Sequence, residues 1–171
     1  LKLSRFMYNM RVLIMKRILF FGLGKTNTPL YEYLKQDPAY ELYVSSDSSA
    51  ELDGYPSERV IAPSDLKKDF FDEIFCAPGV PAGHPVYALG RVSNEIEFSI
   101  QLFDSKVIGI TGTNGKSSLS KFLYDYLTKI GYNCLLAGNY GTALASFLGK
   151  GIKPDIIVLE LSSFQLDRKS T

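Results

Sequence analysis

Several things are scarce in this chain of 171 residues, and each scarcity removes a class of function. There is no tryptophan and only one histidine, His84, so a metal centre built from several imidazoles is excluded. The two cysteines, Cys76 and Cys134, stand far apart in apolar stretches with no C-x-x-C spacing. They read as reduced thiols in the core of a cytoplasmic protein, neither a disulfide framework nor a zinc knuckle. No apolar run approaches the length of a membrane span. Lys+Arg number 19 against 18 Asp+Glu, which leaves no global attraction to nucleic acid or acidic lipid. No repeat or low-complexity tract occurs, and a hydrophobic fraction of 46% is that of a globular chain. A monomer is expected.

What is present centres on Val107-Ile108-Gly109-Ile110-Thr111-Gly112-Thr113-Asn114-Gly115-Lys116-Ser117-Ser118. The β-branched run Val107 to Ile110 reads as a buried strand. It gives way to a turn of small residues and then to a helix starting near Ser117. Phe122, Leu123, Tyr126, Leu127 and Ile130 form an apolar stripe along that helix. Such a turn aims backbone N–H groups and the positive end of a helix at one point, which suits phosphate. Lys116 adds a point charge for the terminal phosphates and Ser117 a hydroxyl for Mg²⁺. The standard G-x-x-x-x-G-K-[ST] spacing is not met, because Ile110 stands where its first glycine would be. The strand-to-helix context still favours a nucleoside triphosphate site over an ordinary turn bearing a surface lysine.

Earlier in the chain, Arg17 to Phe21 reads as a strand ending in Gly22-Leu23-Gly24-Lys25-Thr26-Asn27. A helix is predicted from Thr28 to Gln36, with Pro29 in its first turn. The pair of glycines resembles the opening of a dinucleotide-binding fold, but Asn27 replaces the third glycine of G-x-G-x-x-G. Glu41 to Ser45 is a second strand. Asp47 follows it, either as a ribose or base contact or as a turn-forming Asx residue.

Further strands are predicted at Arg59–Ala62 and Glu73–Cys76, then a stiff loop, Ala77-Pro78-Gly79-Val80-Pro81-Ala82-Gly83-His84-Pro85. Stiff loops at strand ends often carry ligand contacts, and His84 reads as a loop residue and not as a base. A helix from Asn94 to Phe103 is capped by Asn94, with Glu97 three residues on. Asp104-Ser105-Lys106 is the expected domain boundary. Beyond the phosphate loop, Asn133–Ala137 is a strand leading into Gly138-Asn139-Tyr140-Gly141, and a short helix follows through Leu144 and Phe147. The last strand, Ile156 to Leu161, is apolar except for Glu160. An acid there occupies the position that holds Mg²⁺ downstream of a phosphate loop.

Taken in order, G-L-G-K-T, A-P-G-V-P…H-P, T-G-T-N-G-K-S-S, G-N-Y-G and L-E-L-S-S-F-Q-L resemble the Mur ligases of peptidoglycan synthesis. The resemblance runs from about Met15 to the end. Folylpolyglutamate synthases share the phosphate loop, but the Ser162-Ser163-Phe164-Gln165 segment is more particular. The resemblance implies an α/β chain: an extension or tail over residues 1–14, a Rossmann-like domain over 15–105 and the first part of an ATP-binding domain over 106–171. By the same resemblance, Lys25 and Thr26 would lie along a UDP diphosphate and Asp47 beside the uracil. Gly79, Asn139, Ser162 and Gln165 would line the path of a muramoyl-alanine. Gly112, Thr113, Asn114, Gly115, Lys116, Ser117 and Ser118 would cradle ATP, with Ser117 and Glu160 on Mg²⁺ and Lys116 and Glu160 serving catalysis.

Family members often carry an arginine near Asp47, whereas Ser48 and Ser49 stand here. The implied reaction joins D-glutamate to UDP-N-acetylmuramoyl-L-alanine at the expense of ATP. In the family a second metal-binding histidine, a modified lysine and a third domain complete the enzyme. Ending at Thr171, this chain is expected to be an N-terminal fragment without turnover of its own. The alternatives are another Mur or folylpolyglutamate-type ligase, or a non-catalytic nucleotide-binding module.

Overall fold

A computed structural model describes residues 15–139 and 141–162. The expected extension over residues 1–14, Tyr140 and the segment containing Gln165 lie outside the described residues.

The first sheet is parallel, in the order β2-β1-β3-β4, with β1 Lys16–Phe21, β2 Tyr40–Ser45, β3 Glu73–Cys76 and β4 Val92–Ser93. Ile18, Leu19, Phe20 and Phe21 are each no more than 1% exposed. A central parallel strand is covered on both faces, hence its unbroken apolar sequence. Its residues alternate between two cores. Ile18 and Phe20 pack with Leu30 and Leu34, whereas Leu19 and Phe21 pack with Phe71 and Val86. Each such side chain stabilises the fold by about 1.5–3 kcal/mol. The chain leaves β1 toward β2 on one side and returns to β3 on the other. The switch point therefore lies between the C-terminal ends of β1 and β3, where open α/β sheets bind ligands.

The second sheet is also parallel, in the order β5-β7-β6, with β5 Lys106–Ile110, β6 Cys134–Gly138 and β7 Ile156–Glu160. β7 is inserted between its two predecessors, and all five of its residues are buried. Helix α1 spans Gly24–Leu34, α2 Glu95–Ile100 and α3 Lys116–Lys129. The two sheets share cores: Ile96 of α2 packs with Leu135, Ile157 and Leu159, and Ala145 packs with Leu30 and Phe20.

The strand expected to be buried, β5, lies at the sheet edge, buries only Ile110 and leaves Val107 39% exposed; four further elements differ from expectation. The α1 helix starts at Gly24, four residues early, so Pro29 falls inside it. The ring removes one helical N–H donor, while the first turn is closed by the N–H of Asn27, which donates to the Leu23 carbonyl at 3.0 Å. The strand predicted over Arg59–Ala62 is a single bridge, Val44 to Val60, preceded by a 3-10 turn at Ser57–Arg59. The helix predicted to Phe103 ends at Ile100.

The fourth difference is the stripe on α3, of which only part is covered. Leu123 and Leu127 pack with Val158 and Ile110. Phe122, Tyr126 and Ile130 are 66%, 52% and 54% exposed, because the three described strands beneath cover only part of the apolar arc of the helix. Cys76 and Cys134 are half-buried, not fully in the core. Among the described residues no helix is long and apolar enough to cross a membrane.

Candidate functional site

The glycine turn after β1 is shaped by contact. Gly22 and Gly24 have φ of +71° and +50°, in the left-handed region that glycine enters without steric cost. A Cβ on Gly22 would stand 2.8 Å from that of Ala77, so only glycine lets this turn approach the one after β3 so closely. Asn27, 1% exposed, locks them together. Its amide donates to the carbonyl of Gly22 at 2.8 Å and to that of Phe75 at 3.3 Å. The residue that breaks the glycine fingerprint is thus the clamp across the switch point. Its mismatch with the fingerprint was visible in the sequence, but its partners were not.

Between the two sheets lies a cavity of about 460 Å³. One wall comes from α1 (Lys25, Thr26, Asn27), with Cys76 at the end of β3 and Pro78 just beyond it. Asn94, Glu95 and Ile96 supply the floor, and Gly138, Asn139, Gly141, Ala143 and Ser162 form the opposite wall. Lys25, Thr26, Asn139 and Ser162, singled out by sequence, are therefore gathered around one space. Gly79 is exposed one residue beyond Pro78. Asp47 stands apart at the end of β2, its side chain 65% exposed and its Oδ2 3.3 Å from Nε2 of His84.

The sequence reading left Glu95 out of the site. Its carboxylate, 4% exposed, accepts the N–H of Ala145 at 2.5 Å and the hydroxyl of Ser99 at 3.1 Å. Burial pushes its pKa above the ordinary carboxylate value, and the bonds from Ala145 and Ser99 oppose that shift in part. Asn94 next to it caps α2 as predicted, accepting the N–H of Glu97 at 2.7 Å. Glu95 therefore ties the last helix before β5 to the turn after β6.

At the C-terminal end of the second sheet, register alone sets the geometry. Glu160 pairs with Ile110 on one side and with Gly138 on the other. It lies between the strand that opens into the Gly112–Gly115 loop and the strand that opens into the cavity. Gly138, at φ +97°, leaves no room for a Cβ, which would overlap the Glu160 carbonyl. Asn139 donates its backbone N–H to that carbonyl at 2.8 Å and its side-chain amide to Oε1 at 3.3 Å. The carboxylate is 2% exposed, and its Oε2 has no hydrogen-bond partner among the described residues. A buried carboxylate oxygen without a donor is costly, and a cation would satisfy it.

The glycine-containing loop after β5 is exposed from Thr111 to Gly115. Gly112 and Gly115 take φ of +141° and +75°. Gly115 caps α3 without any side-chain bond, so the first N–H groups of the helix are open to an anion. Lys116 curls back, donating from Nζ to the carbonyls of Gly112 at 2.5 Å and Thr113 at 3.4 Å. Ser117 and Ser118 lie exposed in the first helical turn. Among the described residues no three His, Cys, Asp or Glu side chains form a metal cluster. A cation here would have Glu160 and the Ser117 hydroxyl, with phosphate oxygens for the rest, the habit of Mg²⁺.

Two parallel sheets, a glycine turn at a switch point and a Gly-Lys-Ser turn entering a helix define a parallel α/β protein with a Rossmann-like first unit. No family model matches the chain. It is similar to the UDP-N-acetylmuramoylalanine–D-glutamate ligase of Ruminiclostridium cellulolyticum, at 33% identity over 165 residues, covering 88% of this chain and 35% of that one. The ligase of the same name from Rickettsia conorii is 36% identical over 166 residues, covering 91% of this chain and 32% of that one. That of Clostridium botulinum strain Hall is 31% identical, covering 88% and 36%. Over 88–91% of its length the chain is thus homologous to ligases of this name. It spans about a third of the length of these curated relatives.

Proposed function

We propose that this chain carries the UDP-sugar-binding and ATP-binding parts of a ligase that joins D-glutamate to UDP-N-acetylmuramoyl-L-alanine. Residues 15–105 are the substrate domain and 106–171 the beginning of the ATP-binding domain. One observation carries the reading: Asn139 lines the cavity and also holds Glu160, beside the phosphate loop.

In this reading Lys25 and Thr26, at the start of α1, hold the UDP diphosphate, and Asp47 meets the uracil. Gly79, Asn139, Ser162 and Gln165 guide the muramoyl-alanine toward the second sheet. Gly112, Thr113, Asn114, Gly115 and Ser118 surround the ATP phosphates. Lys116 leaves the carbonyls of its own loop to neutralise the charge that develops on the transferred phosphoryl group. Mg²⁺, when bound, would be held by Glu160 and Ser117 and would screen the phosphate charge. The alanyl carboxylate oxygen attacks the γ-phosphorus, ADP departs, and an acyl phosphate results. The D-glutamate amine attacks its carbonyl carbon, and the tetrahedral intermediate expels phosphate as the amine loses its proton.

The two binding sites are testable on this chain. Calorimetric titration should show one site for UDP-N-acetylmuramoyl-L-alanine and a separate one for ATP·Mg²⁺. Silence toward the first ligand would contradict the ligase reading, and silence toward the second would contradict the ATP site.

A further inference from the structure

We propose that His84 is the positioning residue for Asp47 and, through it, for the base of the bound nucleotide. This rests on the reading of Asp47 as the base contact. Asp47 belongs to the loop after β2 and His84 to the loop after β3, and their contact spans the end of β1 between them. Nδ1 of His84 accepts the N–H of Val86 at 3.2 Å. The neutral ring must then carry its hydrogen on Nε2, which faces Oδ2 of Asp47 at 3.3 Å. The imidazole lies 4.7 Å from the ring of Phe21, itself 1% exposed.

The loop that presents it is braced from within. His84 donates its N–H to the carbonyl of Pro81 at 2.9 Å, and the Tyr87 hydroxyl donates to that of Val80 at 3.2 Å. A carboxylate as exposed as Asp47 would otherwise sample several rotamers, and ordering it would weaken binding. With Oδ2 engaged by His84, Oδ1 is left to accept a hydrogen bond. The imide N3–H of uracil can donate one. Cytosine cannot, because its N3 is an acceptor. His84 therefore supports a preference for UDP over CDP without touching the diphosphate.

The single histidine makes the test direct. The ¹⁵N spectrum of the only imidazole should show a bare Nδ1 and a protonated Nε2, and Asp47→Asn should shift it. Titration with UDP, CDP and pyrophosphate should then show that His84→Ala weakens UDP roughly tenfold. The variant should lose the preference over CDP and bind pyrophosphate unchanged. His84→Gln, which can donate from the Nε2 position, should recover part of the loss. An unchanged UDP preference in His84→Ala overturns this inference and leaves the substrate reading standing. An equal loss for pyrophosphate also overturns it, since that would mark a merely structural role. A wild-type chain indifferent to UDP overturns the substrate reading and this inference with it.

Discussion

Asn139 holds Glu160 from two sides, by its backbone N–H on the carbonyl at 2.8 Å and by its amide on Oε1 at 3.3 Å. The second oxygen, Oε2, is left buried with no partner among the described residues. An orphaned buried carboxylate oxygen destabilises the empty protein. Glu160→Gln should therefore keep or slightly raise the denaturation midpoint and at the same time weaken Mn²⁺–nucleotide binding at least tenfold, by roughly 1.4 kcal/mol or more. Thermal melts and paramagnetic Mn²⁺ titration report the two effects separately. A variant that melts early and binds Mn²⁺ normally would show Glu160 to be structural.

Removing the partner should act in the opposite way. Asn139→Ala leaves Oε1 without its donor and should cost about 1–3 kcal/mol in urea denaturation. No change in stability would mean that the amide bond is not formed in solution.

Gly138 was legible in the sequence only as a small residue in a loop, and its constraint comes from β7. Because a side chain there would overlap the Glu160 carbonyl and the backbone lies at φ +97°, Gly138→Ala should destabilise by about 2 kcal/mol or more. A variant as stable as the parent would contradict the packing of β6 on β7.

How far the sequence carried can be judged from particular residues. β1, β3, β7 and the Asn94 cap were readable because each is written in local composition: an unbroken apolar run, or a cap three residues ahead of an acid. Lys25, Thr26, Asn139 and Ser162, named from the sequence, line one cavity. What was not readable depends on contacts distant in sequence. Asn27 seemed a defect in a fingerprint until Phe75, 48 residues on, supplied its second acceptor. The stripe of α3 was placed by periodicity, but which half is covered depends on how many strands lie beneath.

The clamp gives a further expectation. Asn27→Gly would complete the G-x-G-x-x-G pattern, yet it should destabilise the protein by about 2 kcal/mol, because two buried carbonyls lose a donor and a helix gains a glycine. Denaturant melts of Asn27→Gly and Asn27→Ala check this. A gain in stability from the glycine would contradict the clamp.

Glu95 makes stability depend on pH with a definite sign. Its folded pKa is raised above the ordinary carboxylate value, first by burial, so the folded state binds the proton more tightly than the unfolded one. Its contribution is fully present below the ordinary carboxylate value and is lost as pH rises through the raised folded value. Glu95→Gln should flatten the fall in stability over that upward window, as read from urea midpoints at a series of pH values. An unchanged slope would assign the dependence to other groups.

The central claim is that the cavity between the two sheets receives the nucleotide sugar. Amide hydrogen exchange of this chain, with and without UDP-N-acetylmuramoyl-L-alanine, tests it most directly. Exchange should slow at the start of α1 around Lys25 and Thr26 and in the loop from Gly138 to Ala145, with little change along the exposed face of α3. Protection confined to segments away from the cavity, or none at saturating ligand, would contradict it.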